Sequence, residues 1–337
     1  MNRKTTTMLR LAGLGTLLAI AAAIVFGYLG WLHPAFDSFS HFRVHLATLL
    51  LAATLPLLLA RLWPEALFAV ALGATAIVQT IGLPSLPRFS TVNASTTEAG
   101  GHEALYRLLH ANLRFDNRRP EETLSLIARV RPDVLTLNEV SAPWRARLAT
   151  LEAAYPFQMI CERRGHIGGV AILSRRPFAH GTQPSCGDRG SFAHATIDFG
   201  GRVVEVVALH LGWPWPFEQP WQVPRVEPLL AQLGHTAIVA GDLNSVPWSR
   251  TARRVEAASG ARLLRGIGPT WLNARLPAWM RPAIGLPLDN VLVKGAVMPL
   301  SVTTTAEGAS DHRPVLLEFN VLPQEKLRGV LQASLGH

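Results

Sequence analysis

The rhythm of apolar and polar positions along this chain changes near residue 84. Before it, three long apolar stretches follow one another: Met8 to Leu32 has no charge except Arg10, Val44 to Ala60 has none, and Pro64 to Leu83 carries only Glu65 at its start. Each falls within the roughly 17 to 25 residues with which a helix crosses a bilayer. The pattern therefore predicts a three-helix transmembrane anchor over residues 1–83. A cleaved signal peptide is the competing reading of the first stretch, because Arg3, Lys4 and Arg10 form a basic leader and Ala19-Ile20-Ala21 mimics a cleavage site. The apolar run continues past Ala21 and two more follow, which favours the anchor. The basic leader and Arg61, between the second and third stretches, favour the cytoplasmic side. The expected arrangement is a multi-pass protein of the cytoplasmic membrane with its C-terminal part on the periplasmic or extracellular side.

From Pro84 to Gly101 the chain turns to Ser, Thr, Pro and Gly, and residues 84–103 read as a linker. Short, β-branched apolar runs then recur: Ala104 to Asn112, Val134 to Val140, Gly169 to Ser174, Ala193 to Asp198, Val203 to His210, Ala237 to Ala240, Leu288 to Val293 and Val315 to Val321. These predict strands. Helical patterns separate several of them, at Pro120 to Val130, Trp144 to Ala154, Val223 to Leu233 and Ser249 to Ser259. The first opens with Pro and places Glu121 and Glu122 in its first turn, where the helix dipole favours acids. Residues 104–321 form one α/β domain, followed by a tail at 322–337. The pattern alone leaves a two-sheet sandwich and a doubly wound sheet both open.

Composition sharpens the division. Hydrophobic residues make up 49% and charged residues 16% of the chain, with the apolar excess at the N-terminus. Of the net charge of +9, residues 89–337 hold 26 Lys/Arg against 21 acids. This mild positive balance suits a phosphate-bearing or anionic-lipid partner. There is no basic block of the kind that makes a dedicated nucleic-acid arm. The two cysteines, Cys161 and Cys186, fit either a disulfide in an oxidising exterior or two reduced core thiols; neither has a Cys or His beside it at zinc-ligand spacing.

Polar residues repeatedly end the apolar runs: Asn112 after LLHA, Glu139 after VLTLN, His210 after VVAL, Asp242 and Asn244 after AIVAG, Asp289 after LPL, with Ser310-Asp311-His312 just before the last strand. Any one of them alone reads as a turn former, a solvated strand end or a surface histidine. Their recurrence at strand ends, which converge on one edge of a sheet, points instead to a site.

The segments HAN (110–112), NEV (138–140), GVAILSRRP (169–177), ALH (208–210), VAGDLNS (239–245), LDNVL (288–292) and SDHRP (310–314) resemble, in order, the signatures of the endonuclease/exonuclease/phosphatase superfamily. The resemblance covers roughly residues 104–321. It implies a four-layered α/β sandwich, two packed mixed sheets flanked by helices, with a metal site at the sheet edges. It also implies a Mg²⁺-dependent phosphoric ester hydrolase, with Mn²⁺ as the substitute ion. By that resemblance Glu139 is the principal metal ligand, with Asn112 beside it and Asp311 as a second contact. Asp242 orients or deprotonates the attacking water, Asn244 and His210 donate to the phosphate, and His312, an imidazole held by Asp289, acts as acid/base or as a phosphate donor. These residue types suit the reaction, since phosphate-ester hydrolysis is chiefly positioning and charge neutralisation, and Mg²⁺ needs only one or two protein carboxylates. Nuclease members commonly carry Asn or Asp two residues after the first Asn. Arg114 stands there, which puts a second metal at that position in doubt and leaves phosphate binding or a solvent-facing side chain as its readings.

After His210 come Trp213-Pro214-Trp215-Pro216-Phe217 and Trp221, aromatics stiffened by prolines. They read either as a grip on an apolar or interfacial group or as a packed core loop. Three apolar stretches joined to this domain resemble a membrane-bound bacterial branch that includes glycopeptide-resistance phosphatases. That resemblance implies a lipid pyrophosphate such as undecaprenyl pyrophosphate at the bilayer, within reach of an 18-residue linker spanning roughly 20 to 25 Å. The alternatives are a periplasmic or extracellular nuclease, whose bases such rings also stack on, a sphingomyelinase-like phosphodiesterase, and an inactive binding module.

Overall fold

The computed structural model describes residues 3–81, 104–305 and 310–323. The linker at 84–103, and all but the start of the tail at 322–337, lie outside those residues. The chain divides into two compact units, Met1–Gly101 with Trp248–Arg250, and His102–Pro247 with Thr251–His337.

The first unit is helical: α1 (Arg3–Phe26), α2 (Pro34–Ser40), α3 (Arg43–Ala52), α4 (Thr54–Leu59) and α5 (Trp63–Ile81). Among the described residues, α5 alone is long and apolar enough by itself to cross a membrane. The Pro34–Ser40 and Arg43–Leu59 helices reach that measure only together, as a pair bent by 57°. The apolar part of α1 is Leu11–Phe26. Of the three expected spans, one is thus a single helix of that kind and a second is present only as the bent pair. Pro56 has no N–H for the carbonyl of Ala52, and α3 gives way to α4 there. The first apolar stretch stops at Phe26, before Gly27 and Gly30, and Pro34 opens the next helix with its pre-set φ.

The second unit holds two six-stranded mixed sheets. The first runs β11 (Val297–Thr304), β12 (Val315–Val321), β1 (Tyr106–Asn112), β2 (Val134–Val140), β4 (Gly169–Ser174), β3 (Phe157–Cys161). The second runs β5 (Ser185–Gly187), β6 (Phe192–Asp198), β7 (Val203–His210), β8 (Ala237–Asp242), β10 (Asp289–Lys294), β9 (Arg262–Leu263). Leu108, Val134, Ile172 and Phe319 of the first sheet meet Val206, Ile238 and Val291 of the second in a buried core. The opposite face of the first sheet, with Leu109 and Leu135, is covered by Ile127 of α6 (Pro120–Val130) and Trp144 of α7 (Ala142–Leu148). That of the second, with Val207 and Val239, is covered by Val223 and Val226 of α8 (Gln219–Leu230) and Val255 of α9 (Arg250–Ser259). The result is a helix-sheet-sheet-helix sandwich, and the doubly wound alternative falls away.

Cys161 and Cys186 are joined in a disulfide that ties β3 of one sheet to β5 of the other. The bridge closes 25 residues, a constraint on the unfolded chain of about 3 kcal/mol.

Register explains why distant strand ends meet. Each sheet contains one parallel pair, β1 with β2 and β7 with β8, so the C-terminal ends of both partners point the same way. Asn112 stands opposite Asn138 in the first pair and His210 opposite Asp242 in the second. Antiparallel β10 then sets Asp289 opposite Asp242, and β12, starting with Val315 opposite His110, brings the preceding His312 to the same end.

Candidate active site

Local backbone geometry aims the strand-end side chains. Between Asn138 and Val140 the pairing with β4 slips by a residue, and Glu139 sits at this bulge with φ +58. A left-handed carboxylate residue at a bulge is a costly arrangement that re-aims its side chain off the regular alternation. Asn244, at φ +45, makes the corresponding turn after β8. Gly241, just before Asp242, packs against the neighbouring strand so closely that a Cβ there would come within 1.8 Å of the Leu209 carbonyl oxygen. Only glycine lets β8 approach β7 at that point.

The side chains converge across the gap between the sheets. Asn112 Nδ2 lies 3.0 Å from both Glu139 Oε1 and Asp242 Oδ2, so one amide links the two sheet edges. Phe115 N–H donates to Glu139 Oε2, and Asn244 N–H donates to Asp242 Oδ1. Asn244 Nδ2 donates to the Leu211 carbonyl. His312 Nδ1 lies 2.7 Å from Asp289 Oδ2, while its Nε2 faces Asp242 Oδ2 at 3.7 Å. His210 Nε2 stands 3.9 Å from the same Asp242 oxygen. Asp311 is held by its carbonyl, which accepts from Leu272 N–H; its charge is felt by Arg114, Glu139 and His312. Every residue singled out from the sequence therefore gathers at this edge. Arg114 is partly exposed to solvent, with its Nε donating to the exposed Asp116 Oδ1.

Several members have no counterpart among the sequence-based site residues. His110 is completely buried and its Nε2 lies 3.0 Å from Asp289 Oδ1. Thr270 Oγ1 accepts from the N–H groups of Leu288 and Asp289. In the first turn of α8, Gln219 Nε2 donates to the carbonyls of Gly212 and Leu243, and Gln222 Nε2 donates to the carbonyl of His210. These two amides pin the loops that carry His210 and Asn244. The signal that could have exposed them is polarity at a buried period: an imidazole inside RLLHA, and two glutamines three apart on the packed face of a helix.

Burial and neighbouring charge set the protonation. Burial raises the Asp242 carboxyl to about 7 against the opposing pull of His312. Burial also raises Glu139, opposed by the Phe115 N–H and Asn112. For Asp289 burial is outweighed by the charge of His312 and the hydrogen bonds from His110 and His312, which hold it well below the usual carboxylate range. His312 is the mirror case: burial disfavours its charge, but Asp289 and Asp242 hold it up to about 10. Burial, helped by Arg163 and His312, lowers His210 to about 3 and keeps it neutral. The centre thus combines an imidazolium, a neutral imidazole and a carboxylate poised to ionise near neutral pH.

Two oxygen-bearing groupings bear on a divalent cation. Asp242, Asp289 and His312 bring ligand-type atoms within 4.8 Å of one another. That closeness follows from the hydrogen-bonded His312–Asp289 pair, and Asp289 already has an imidazole on each oxygen. Glu139 fits a hard cation better: it is a largely buried carboxylate whose hydrogen bonds come from uncharged donors, Asn112 and the Phe115 N–H.

Beside this centre lies the aromatic loop, and it is not a core loop. Trp213, Trp215, Phe217 and Trp221 are 58%, 42%, 61% and 61% exposed. The Trp213 ring stands edge-on to Trp271 at 6.4 Å, and Trp271 pairs through its backbone with His312.

Comparison with known proteins agrees with this architecture. A curated relative from Saccharomyces cerevisiae, "Inositol phosphosphingolipids phospholipase C", is 28% identical over 145 residues, 35% of this chain and 30% of its own length. The chain thus matches under a third of that relative. Among solved structures, D. rerio TDP2 complexed with a single-strand DNA product shares the fold with a TM-score of 0.53 at 18% identity, over 65% of this chain and all of that one. A Staphylococcus aureus beta toxin mutant with bound magnesium ions does so at 0.50 and 14%, over 64% of this chain and all of that one. The model of the Endonuclease/Exonuclease/phosphatase family matches residues 109–312, more than half of the chain. With its two packed mixed sheets and its signatures gathered at one edge, the chain belongs to that family of phosphoesterases.

Proposed function

We propose that this protein is a divalent-metal-dependent phosphoesterase working at a membrane surface on a lipid that carries a phosphate ester or anhydride, with a lipid pyrophosphate such as undecaprenyl pyrophosphate as the first candidate. The observation that carries this reading is the exposed Trp-Pro loop, which opens three residues after His210 and leans on the Trp271 segment paired to His312. Tryptophan side chains favour the membrane–water boundary. A second support is α5, which turns Leu67, Phe68, Val70, Val78 and Ile81 outward, an apolar surface that calls for a cover such as lipid. A third is the yeast relative, whose name describes a phospholipase acting on phosphosphingolipids.

In the proposed reaction Glu139 and Asn112, with Asp311, would hold Mg²⁺ or Mn²⁺. When bound, the cation neutralises charge on the non-bridging phosphate oxygens. Asp242, once ionised, accepts a hydrogen bond from the attacking water and orients it. His210 and Asn244 donate to the phosphate. His312, held by Asp289 through Nδ1, presents Nε2–H to the developing negative charge. The anchored, outward-facing arrangement of the chain in the cytoplasmic membrane belongs to the same proposal, and the disulfide fits an oxidising exterior.

A panel assay of the full chain in detergent tests the reading, with undecaprenyl pyrophosphate, sphingomyelin, supercoiled plasmid and single-stranded RNA, each with Mg²⁺ and with EDTA. Mg²⁺-dependent cleavage of a lipid substrate is expected. Cleavage of plasmid or RNA alone would make the protein a nuclease, and no cleavage of anything would make it a binding module.

A further inference from the structure

Asp289 is gripped from both sides. His312 Nδ1 meets Oδ2 at 2.7 Å, and His110 Nε2 meets Oδ1 at 3.0 Å. A carboxylate with one imidazole can still swing about its χ2 bond, a broad and soft torsion. A carboxylate held on both oxygens cannot swing without breaking a buried hydrogen bond. His110 is itself fixed, because its Nδ1 lies 3.1 Å from the Thr136 carbonyl and 3.2 Å from the Thr136 hydroxyl. Thr136 offers an acceptor and a donor at one place. With hydrogen on Nδ1 the ring donates to the carbonyl; without it the ring accepts from the hydroxyl. The Asp289 carboxylate, which can only accept, selects the forms of the ring that carry hydrogen on Nε2. The register reinforces this, since His110 and Thr136 are direct neighbours in the parallel β1–β2 pair.

We infer that His110 is a positioning residue for the hydrolytic reaction: from β1 of one sheet it fixes the Asp289 carboxylate of the other, and so aims the His312 ring at the reacting phosphate. The inference rests on the proposed role of His312. Its consequence is a chain of side chains, Thr136, His110, Asp289, His312, that crosses from one sheet to the other and ends with His312 Nε2 facing Asp242. Substitutes at position 110 differ in which nitrogen they imitate. A glutamine amide falls near Nε2 and still reaches Asp289, an asparagine amide falls near Nδ1 and reaches only Thr136, and phenylalanine fills the space while donating to neither.

The test uses the full-length protein in detergent with Mg²⁺ and bis-p-nitrophenyl phosphate. His110→Asn and His110→Phe are expected to lose about tenfold or more in kcat, with KM within twofold, since orientation of an acid/base group acts on the reaction step. His110→Gln should recover most of that loss. A merely structural role would lower thermal stability in all three variants without separating Gln from Asn. In ¹⁵N-histidine spectra, the His312 Nδ1–H resonance should move in the Asn and Phe variants and stay in Gln. Wild-type kcat with an unmoved resonance in His110→Asn, or a Gln variant as impaired as Asn, overturns the inference. The spectra need no turnover, so an inactive wild type would count against the proposed activity while the resonance still decides the role of His110. If His110→Phe does not fold, the Gln and Asn pair carries the test.

Discussion

His210 and Trp213 lie three residues apart and obey opposite rules. His210 is buried at the end of β7, its carbonyl taken by Gln222 and its imidazole kept neutral by burial. Trp213 is 58% exposed on the loop that follows. The difference separates what the fold encloses from what it leaves for something else to cover. Around Asp242 and Asp289 the carboxylate oxygens have partners within the fold, so the centre is organised before any substrate arrives. The rings of Trp213, Trp215, Phe217 and Trp221 present apolar area to the outside. The centre should therefore govern rate on every phosphoester, and the rim should govern which phosphoester is held.

The sharpest way to break that division is at the centre. Asp242→Asn should lower kcat by about 10³-fold, within the range of lost acid-base catalysis, equally for long-chain and short soluble analogues and with little change in KM. Glu139→Gln should abolish Mg²⁺-dependent turnover in the same steady-state assay while far-UV circular dichroism stays unchanged. A loss confined to lipid substrates would mean that centre and rim are not separable. The next effect is on stability. Replacing both Cys161 and Cys186 by Ser should lower unfolding stability by about 3 kcal/mol in urea titrations. The ratio of rates on the two analogues should hold, since the bridge joins β3 to β5 and includes none of the rim's aromatic residues.

A pH scan of the metal-free protein gives a smaller, graded effect. His312, whose ordinary value is 6.5, is held up to about 10 in the fold, where Asp289 and Asp242 outweigh the burial that lowers it. Folding thus takes up a proton between those values. The stabilisation is fully present below 6.5 and is lost as pH rises through about 10. Melting temperature should fall across that window in EDTA, and His312→Gln should flatten the fall. An unchanged slope in the variant would show that His312 is not the titrating group.

The interior strands were legible because their apolar runs are long and β-branched. The strands that escaped are the edges: Phe157–Cys161 is half-buried and interrupted by Gln158, Ser185–Gly187 and Arg262–Leu263 are too short to show alternation, and Val297–Thr304 carries Pro299 beside an irregularity in pairing. The polar strand ends, from Asn112 to His312, stood out against their apolar runs. The supporting residues did not. His110, Thr270, Gln219 and Gln222 owe their importance to partners 12 to 179 residues away, and nothing near them in the chain announces those partners. In the helical unit, hydropathy showed apolar length but not the break near Pro56.

The most direct test of the account compares wild type with the Trp213→Ala, Trp215→Ala double variant on a long-chain lipid pyrophosphate and on a short soluble analogue of the same head group. Each ring offers apolar area worth about 25 cal/mol per Å² to a lipid chain or interface, while the centre treats both phosphates alike. The account predicts a fall of roughly tenfold in kcat/KM on the lipid substrate, the equivalent of about 1.4 kcal/mol, with the short analogue unchanged. Equal losses on both substrates, or no loss on either, would contradict it.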